Sequence, residues 1–154
     1  MNKLVFCACL LVVSCLARPA ISAEPMALDS FVRNFNYETR KDMKCTGKEL
    51  LALLAKNEAV LIDIRFPEEQ QAWGMNFAMK IPLNELPNRL KEIPKDKIIV
   101  TACPHIDRSN IAMLYLRTQG YNARYLVDGL VGFAELLRGD VELPLLNRTL
   151  QVLQ

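Results

Sequence analysis

Three short runs dominated by apolar residues, at 59–64, 97–102 and 122–127, set the strongest limit on what this chain can become. Strands with one wet face alternate polar and apolar residues, whereas runs without alternation suit strands buried on both faces. Between and around the runs lie stretches with helical spacing and helix punctuation. Thr46-Gly-Lys-Glu49 has the pattern of a capping box, followed by an apolar face of Leu50, Leu51, Leu53 and Leu54 and a stop at Asn57-Glu58. Pro67 opens a second helix over 68–73, with proline in its favoured first turn. Residues 84–93 read as helical despite Pro87. The stretch 108–119 reads as a helix with Ile111, Leu114, Tyr115 and Thr118 facing a core, and Gly120 as its stop. Asp128-Gly129 is a turn, and 130–138 is the last helix. Strand and helix alternate throughout, which predicts an α/β fold: a mostly parallel sheet with helices on both faces.

The two ends lie outside that pattern. Residues 1–23 carry one lysine, an apolar run from Leu4 to Ala17 and a small-residue ending at Ala23. The run is shorter than the ~20 residues a membrane-spanning helix needs, so a cleaved secretory signal and an exported, periplasmic location are expected. Two other readings stay open: a permanent anchor, and a lipobox at Val12-Val13-Ser14-Cys15 that would leave a lipid on Cys15. Residues 24–42 are mixed and partly charged, a linker or an added helix. The domain is expected over 43–138, with a leucine-containing tail at 139–154.

Removing 1–23 takes away Lys3 and Arg18, so 17 basic residues face 17 acidic ones. A balanced surface argues against nucleic acid as a partner, which requires a basic field. The same cut lowers the cysteines from five to two, Cys45 and Cys103. His105 is the single histidine, which excludes a zinc site built from several histidines. No metal and no organic cofactor are expected.

Ligands of open parallel sheets bind at the carboxyl ends of the strands. There the central run 97–102 passes directly into Cys103-Pro104-His105-Ile106-Asp107-Arg108-Ser109. A cysteine between a buried strand and a helix start has free backbone N–H groups and the positive end of a helix dipole beside it. Both favour a thiolate over a thiol. Arg108 can add a full positive charge, and its position at a helix start, where it opposes the dipole, argues for a role in the site. Asp107 either points inward beside the sulfur or caps the helix. Pro104 contributes no N–H. Asp63 lies inside an apolar run, where an unpaired charge is costly, with Arg65 as its neighbour.

The chain resembles the rhodanese family. The resemblance rests on Leu61-Ile-Asp-Ile-Arg65 with Pro67-Glu68-Glu69, on Ile81-Pro82-Leu83, on Ile98-Ile-Val, on Cys103 through Arg108-Ser109, and on Gly120-Tyr121 with Asp128-Gly129-Leu130. These stand in family order and spacing from about Met43 to Arg138. The resemblance implies a sulfurtransferase in which Cys103 takes the outer sulfur of thiosulfate or polysulfide as a persulfide and passes it to an acceptor thiol. Residues 104–109 would line the substrate, and Asp63 would support the loop. Four residues separate Cys103 from Arg108, as in sulfur-transferring members; the related phosphatases of this fold have five. The chain departs from the family in Trp73-Gly-Met-Asn-Phe-Ala-Met79 and in a loop without small residues or glycine. That loop keeps a non-enzymatic persulfide carrier in view. A thiol–disulfide protein using Cys45 and Cys103 is a third reading, although the Cys-x-x-Cys spacing is absent.

Overall fold

The computed structural model describes residues 25–138 and the single residue Gln151. The signal, anchor and lipobox readings at 1–23 lie outside the described residues, as does nearly all of the 139–154 tail. Five parallel strands form one sheet: β1 (Lys44–Cys45), β2 (Ala59–Asp63), β3 (Met79–Lys80), β4 (Ile98–Ala102) and β5 (Ala123–Leu126), in the order β1-β5-β4-β2-β3. β4 is central, paired with β2 along its whole length and with β5 on the other side. The three apolar runs are thus the three inner strands. The short edge strands β1 and β3 lack a run long enough to be seen in sequence.

Six α-helices accompany the sheet: α1 (Leu28–Arg33), α2 (Tyr37–Asp42), α3 (Gly47–Ala55), α4 (Pro67–Ala72), α5 (Asp107–Thr118) and α6 (Gly129–Leu137). On one face, Ile62, Ile64, Ile99 and Tyr125 pack with Ala112, Met113 and Leu116 of α5. On the other, Leu61, Val100 and Leu126 pack with Leu50, Leu51 and Leu54 of α3 and with Leu130 and Phe133 of α6. Helices therefore cover both faces. At the start of α3, Thr46 Oγ1 accepts from Glu49 N at 3.2 Å, while the Glu49 carboxylate takes Arg124 Nη1 at 2.6 Å. One half of the expected capping box forms, and an ion pair to β5 replaces the other. The described part of the 24–42 segment carries α1 and α2; Asn36 caps α2, its side chain accepting from Thr39 N at 2.9 Å.

Two sequence expectations are corrected. Residues 84–93 form two 3₁₀ turns, Leu86–Asn88 and Leu90–Glu92, instead of an α-helix. Pro87 has no N–H to donate and restricts Leu86, so the segment never closes an α-helical ladder. The fully buried face of α5 is Ser109, Ala112, Met113 and Leu116; of the expected residues Leu114 and Tyr115 pack against this core partly buried, while Ile111 is 58% exposed. Thr101 Oγ1 donates to Ser109 O at 2.8 Å, which sets the roll of the helix on β4.

Asp63 and Arg65 are buried at the end of β2 and pair with one another, although Arg65 Nη1 is left buried without a partner. Arg65 Nε and Nη2 reach the Asp63 carboxylate at 2.9 and 2.6 Å, and Arg65 N adds a bond at 3.1 Å. Nη2 also donates to Trp73 O at 2.6 Å, and the guanidinium lies 4.2 Å from the centre of the Trp73 ring. Truncating one partner of such a pair leaves a buried, uncompensated charge. Asp63→Ala is expected to lower stability in urea unfolding by about 3–5 kcal/mol. A loss below about 1 kcal/mol would mean that Arg65 finds water or another partner.

Candidate active site

Cys103 is the first residue beyond β4 and is fully buried on the α5 side of the sheet. Its carbonyl accepts Leu130 N at 2.8 Å, and the Pro104 carbonyl accepts Val131 N at 3.3 Å. The first N–H groups of α6, which no helical carbonyl can satisfy, are thus used to fasten the cysteine loop. Gly129 makes the approach possible. It has φ +60°, and a Cβ there would meet the carbonyl oxygens of Pro104 and His105 and lie 2.7 Å from His105 Cα. All three are backbone atoms with little room to yield.

The remaining loop residues separate by role. Ile106 precedes α5, and its carbonyl accepts Asn110 N at 3.0 Å and Ser109 Oγ at 2.7 Å. Ser109 is fully buried and turned toward the sheet, where it serves the helix start and not the mouth of the loop. His105 and Ile106 are exposed, and Pro104 is half-buried. Asp107 points inward: Cys103 Sγ donates to its Oδ1 at 3.5 Å. The Arg108 backbone N–H, and then the Cys103 thiol, hold the Asp107 carboxyl below the ordinary carboxylate range.

Arg108 does not stand free beside the sulfur. Its Nη1 and Nη2 grip Glu69 of α4 at 2.6 and 2.8 Å, and its guanidinium lies 5.7 Å from the centre of the Phe66 ring. Glu69 also accepts Phe66 N at 3.2 Å. These contacts, Arg108 first, hold the Glu69 carboxyl down at about 2. Because that value is depressed, the pair is complete above the ordinary carboxylate range and is lost only as pH falls toward 2. Glu69 is the residue that sequence reading left without a role. Its partner is 39 positions away, and no local pattern announces the pairing.

Cys45, the last residue of β1, is the second buried thiol. Its Sγ donates to Thr46 O at 3.6 Å, and burial is the main reason its thiol is pushed up to about 12. The two thiols are both free, and they belong to cores on opposite faces of the sheet. The resolving-cysteine reading is corrected on that ground: the sheet itself lies between them. Met75 and Phe77, from the loop that departs from the family pattern, pack onto the α3–α6 core, with Phe77 edge-on to Phe133 at 6.4 Å.

A buried thiol at the carboxyl end of a central parallel strand, on a loop closed by two helix N-termini, defines an α/β protein with a cysteine-centred site. A model of the rhodanese-like domain matches residues 46–136. A sulfurtransferase of Allochromatium vinosum is 40% identical over 76 residues, covering 49% of this chain and 71% of that protein. The thiosulfate sulfurtransferase GlpE of Pseudomonas syringae pv. syringae is 30% identical over 88 residues, covering 57% and 83% respectively. Among solved structures, the human single-domain sulfurtransferase TSTD1 matches with a TM-score of 0.55 at 28% identity, over 60% of this chain and 96% of that one. The chain belongs to the rhodanese-like domain family, and its relatives support sulfurtransferase chemistry.

The Gly129 contact gives a direct test of how the loop is held. Gly129→Ala meets backbone on one side and an unfavourable φ on the other, so it is expected to destabilise the protein by about 2 kcal/mol or more in thermal unfolding. An unchanged Tm would show that the loop can withdraw from α6.

Proposed function

We propose that this chain is an exported, single-domain sulfurtransferase that carries sulfane sulfur as a persulfide on Cys103. The observation that carries the reading is the placement of Cys103: directly after the central strand, with its carbonyl tied to α6 and its sulfur facing the start of α5. Thiosulfate and polysulfide are the sulfane-sulfur donors that the family resemblance implies. The Cys103 thiolate attacks the outer sulfur of thiosulfate; the Sγ–S bond forms, the donor S–S bond breaks, and sulfite leaves with the electron pair. An acceptor thiolate, or cyanide in an assay, then attacks the outer sulfur of the persulfide and releases the Cys103 thiolate. Total charge is conserved in both exchanges, and neither needs an outside oxidant. Arg108, paired to Glu69, steadies the loop from the α4 side. Export rests on the leader-like sequence at 1–23.

A persulfide carrier without rapid turnover is the second reading. It is favoured by the Asp107 carboxylate that covers the sulfur. Thiocyanate formation separates the two. With thiosulfate or inorganic polysulfide and cyanide, the wild type is expected to turn over repeatedly and Cys103→Ser to lose essentially all activity. A single equivalent of thiocyanate per chain would favour the carrier. None from either donor would sink the enzyme reading.

A further inference from the structure

The mouth of the cysteine loop holds a negative charge for which the sulfur exchange has no use. Asp107, the exposed first residue of α5, turns its carboxylate toward the Cys103 sulfur. Oδ1 accepts from Cys103 Sγ at 3.5 Å, and the neighbouring Arg108 backbone N–H and the thiol both favour the ionised carboxylate. An N–H at this helix start is the kind of group that would otherwise receive an anion arriving at the sulfur. Other sources of positive potential are diminished. Pro104 has no N–H to offer, and the Arg108 guanidinium is spent on a two-point ion pair with Glu69. The three ionised side chains at the mouth, Glu69, Asp107 and Arg108, therefore leave one negative charge uncompensated, and it is the one in contact with the reacting sulfur. Contact with N–H and thiol holds the Asp107 carboxyl below its ordinary range, so the charge is present at neutral pH.

We infer that Asp107 is a specificity-determining residue: it fills the anion-receiving end of the loop and turns the site away from doubly charged donors such as thiosulfate. Donors whose sulfane sulfur brings at most one charge, such as small alkyl persulfides, are preferred. The inference rests on the sulfurtransferase reading and deepens it by naming the donor class. With an alkyl persulfide, the Cys103 thiolate attacks the terminal sulfur of R–S–SH. The new Sγ–S bond forms as the donor S–S bond breaks, and the electron pair leaves on RS⁻, which takes a proton from water. Thiosulfate undergoes the same exchange but must bring two negative charges beside Asp107, and like charges at contact distance repel, a repulsion that salt screens because Asp107 is exposed.

The test is single-turnover loading of Cys103 in the full chain, followed by intact mass, with thiosulfate and with the persulfide of 2-mercaptoethanol as donors. Asp107→Asn keeps the shape and removes the charge. Asp107→Ser removes the charge with a different side chain that still suits a helix start. Both variants are expected to raise the second-order rate constant for thiosulfate by about tenfold or more and to change that for the persulfide by less than about threefold. Added salt is expected to narrow the donor difference in the wild type and to matter less in the variants. If both donors load Cys103 and their ratio is the same in wild type and both variants, the inference fails while the sulfurtransferase reading stands. Equal slowing with both donors would make Asp107 a structural residue and also overturns it. No sulfur on Cys103 from either donor in any of the three proteins would overturn the underlying reading, and this one with it.

Discussion

The hydrogen bond from Leu130 N to the Cys103 carbonyl, at 2.8 Å, is the interaction on which the site depends. It joins the end of the central strand to the start of α6 through main-chain atoms alone, so no side chain has to be held in place to make it. Gly129 is its precondition, because a side chain there would push the loop away. Around this fixed point the sheet supplies rigidity: β4 is paired on both sides, and its neighbours are buried by helices on both faces. Cys103, set on such a frame, keeps its direction without relying on loop side chains.

Electrostatics at the carboxyl edge of the sheet are arranged in pairs with different exposure. Asp63 with Arg65 is buried and structural, with Trp73 stacked on the guanidinium. Glu69 with Arg108 is partly exposed and links α4 to the helix that follows the cysteine. Asp107 has no guanidinium of its own and sits on the sulfur. Charge compensation thus falls from the buried Asp63–Arg65 pair to the exposed Asp107 carboxylate at the Cys103 sulfur.

Much of this was legible in the residues. The inner strands announced themselves because burial on both faces removes polar alternation, and the position of Cys103 followed from the strand that precedes it. Gly120 ends α5 with φ +82°, as its place in the pattern required. The inward face of α5 was legible only in Leu114 and Tyr115, and its fully buried stripe was not. It begins at Ser109 and continues through the small Ala112, so its stripe carries little hydrophobic signal, while the large Ile111 points to solvent. The Glu69–Arg108 pair was hidden for another reason: it is a tertiary contact between two helices far apart in sequence. The inward turn of Asp107 was one of two open directions, and only the packing of the loop chose between them. The separation of Cys45 from Cys103 depended on which face of the sheet each thiol occupies, and a two-residue edge strand gives no sequence clue to that.

The central claim is that Cys103, and not the other free thiol, accepts sulfur. Peptide mapping by mass spectrometry after brief exposure of the full chain to a sulfane-sulfur donor, with an alkylating quench, tests it most directly because Cys45 serves as an internal control. The account predicts one added sulfur on the Cys103 peptide and an unchanged Cys45 peptide. Sulfur on the Cys45 peptide, or a disulfide joining the two, would contradict it.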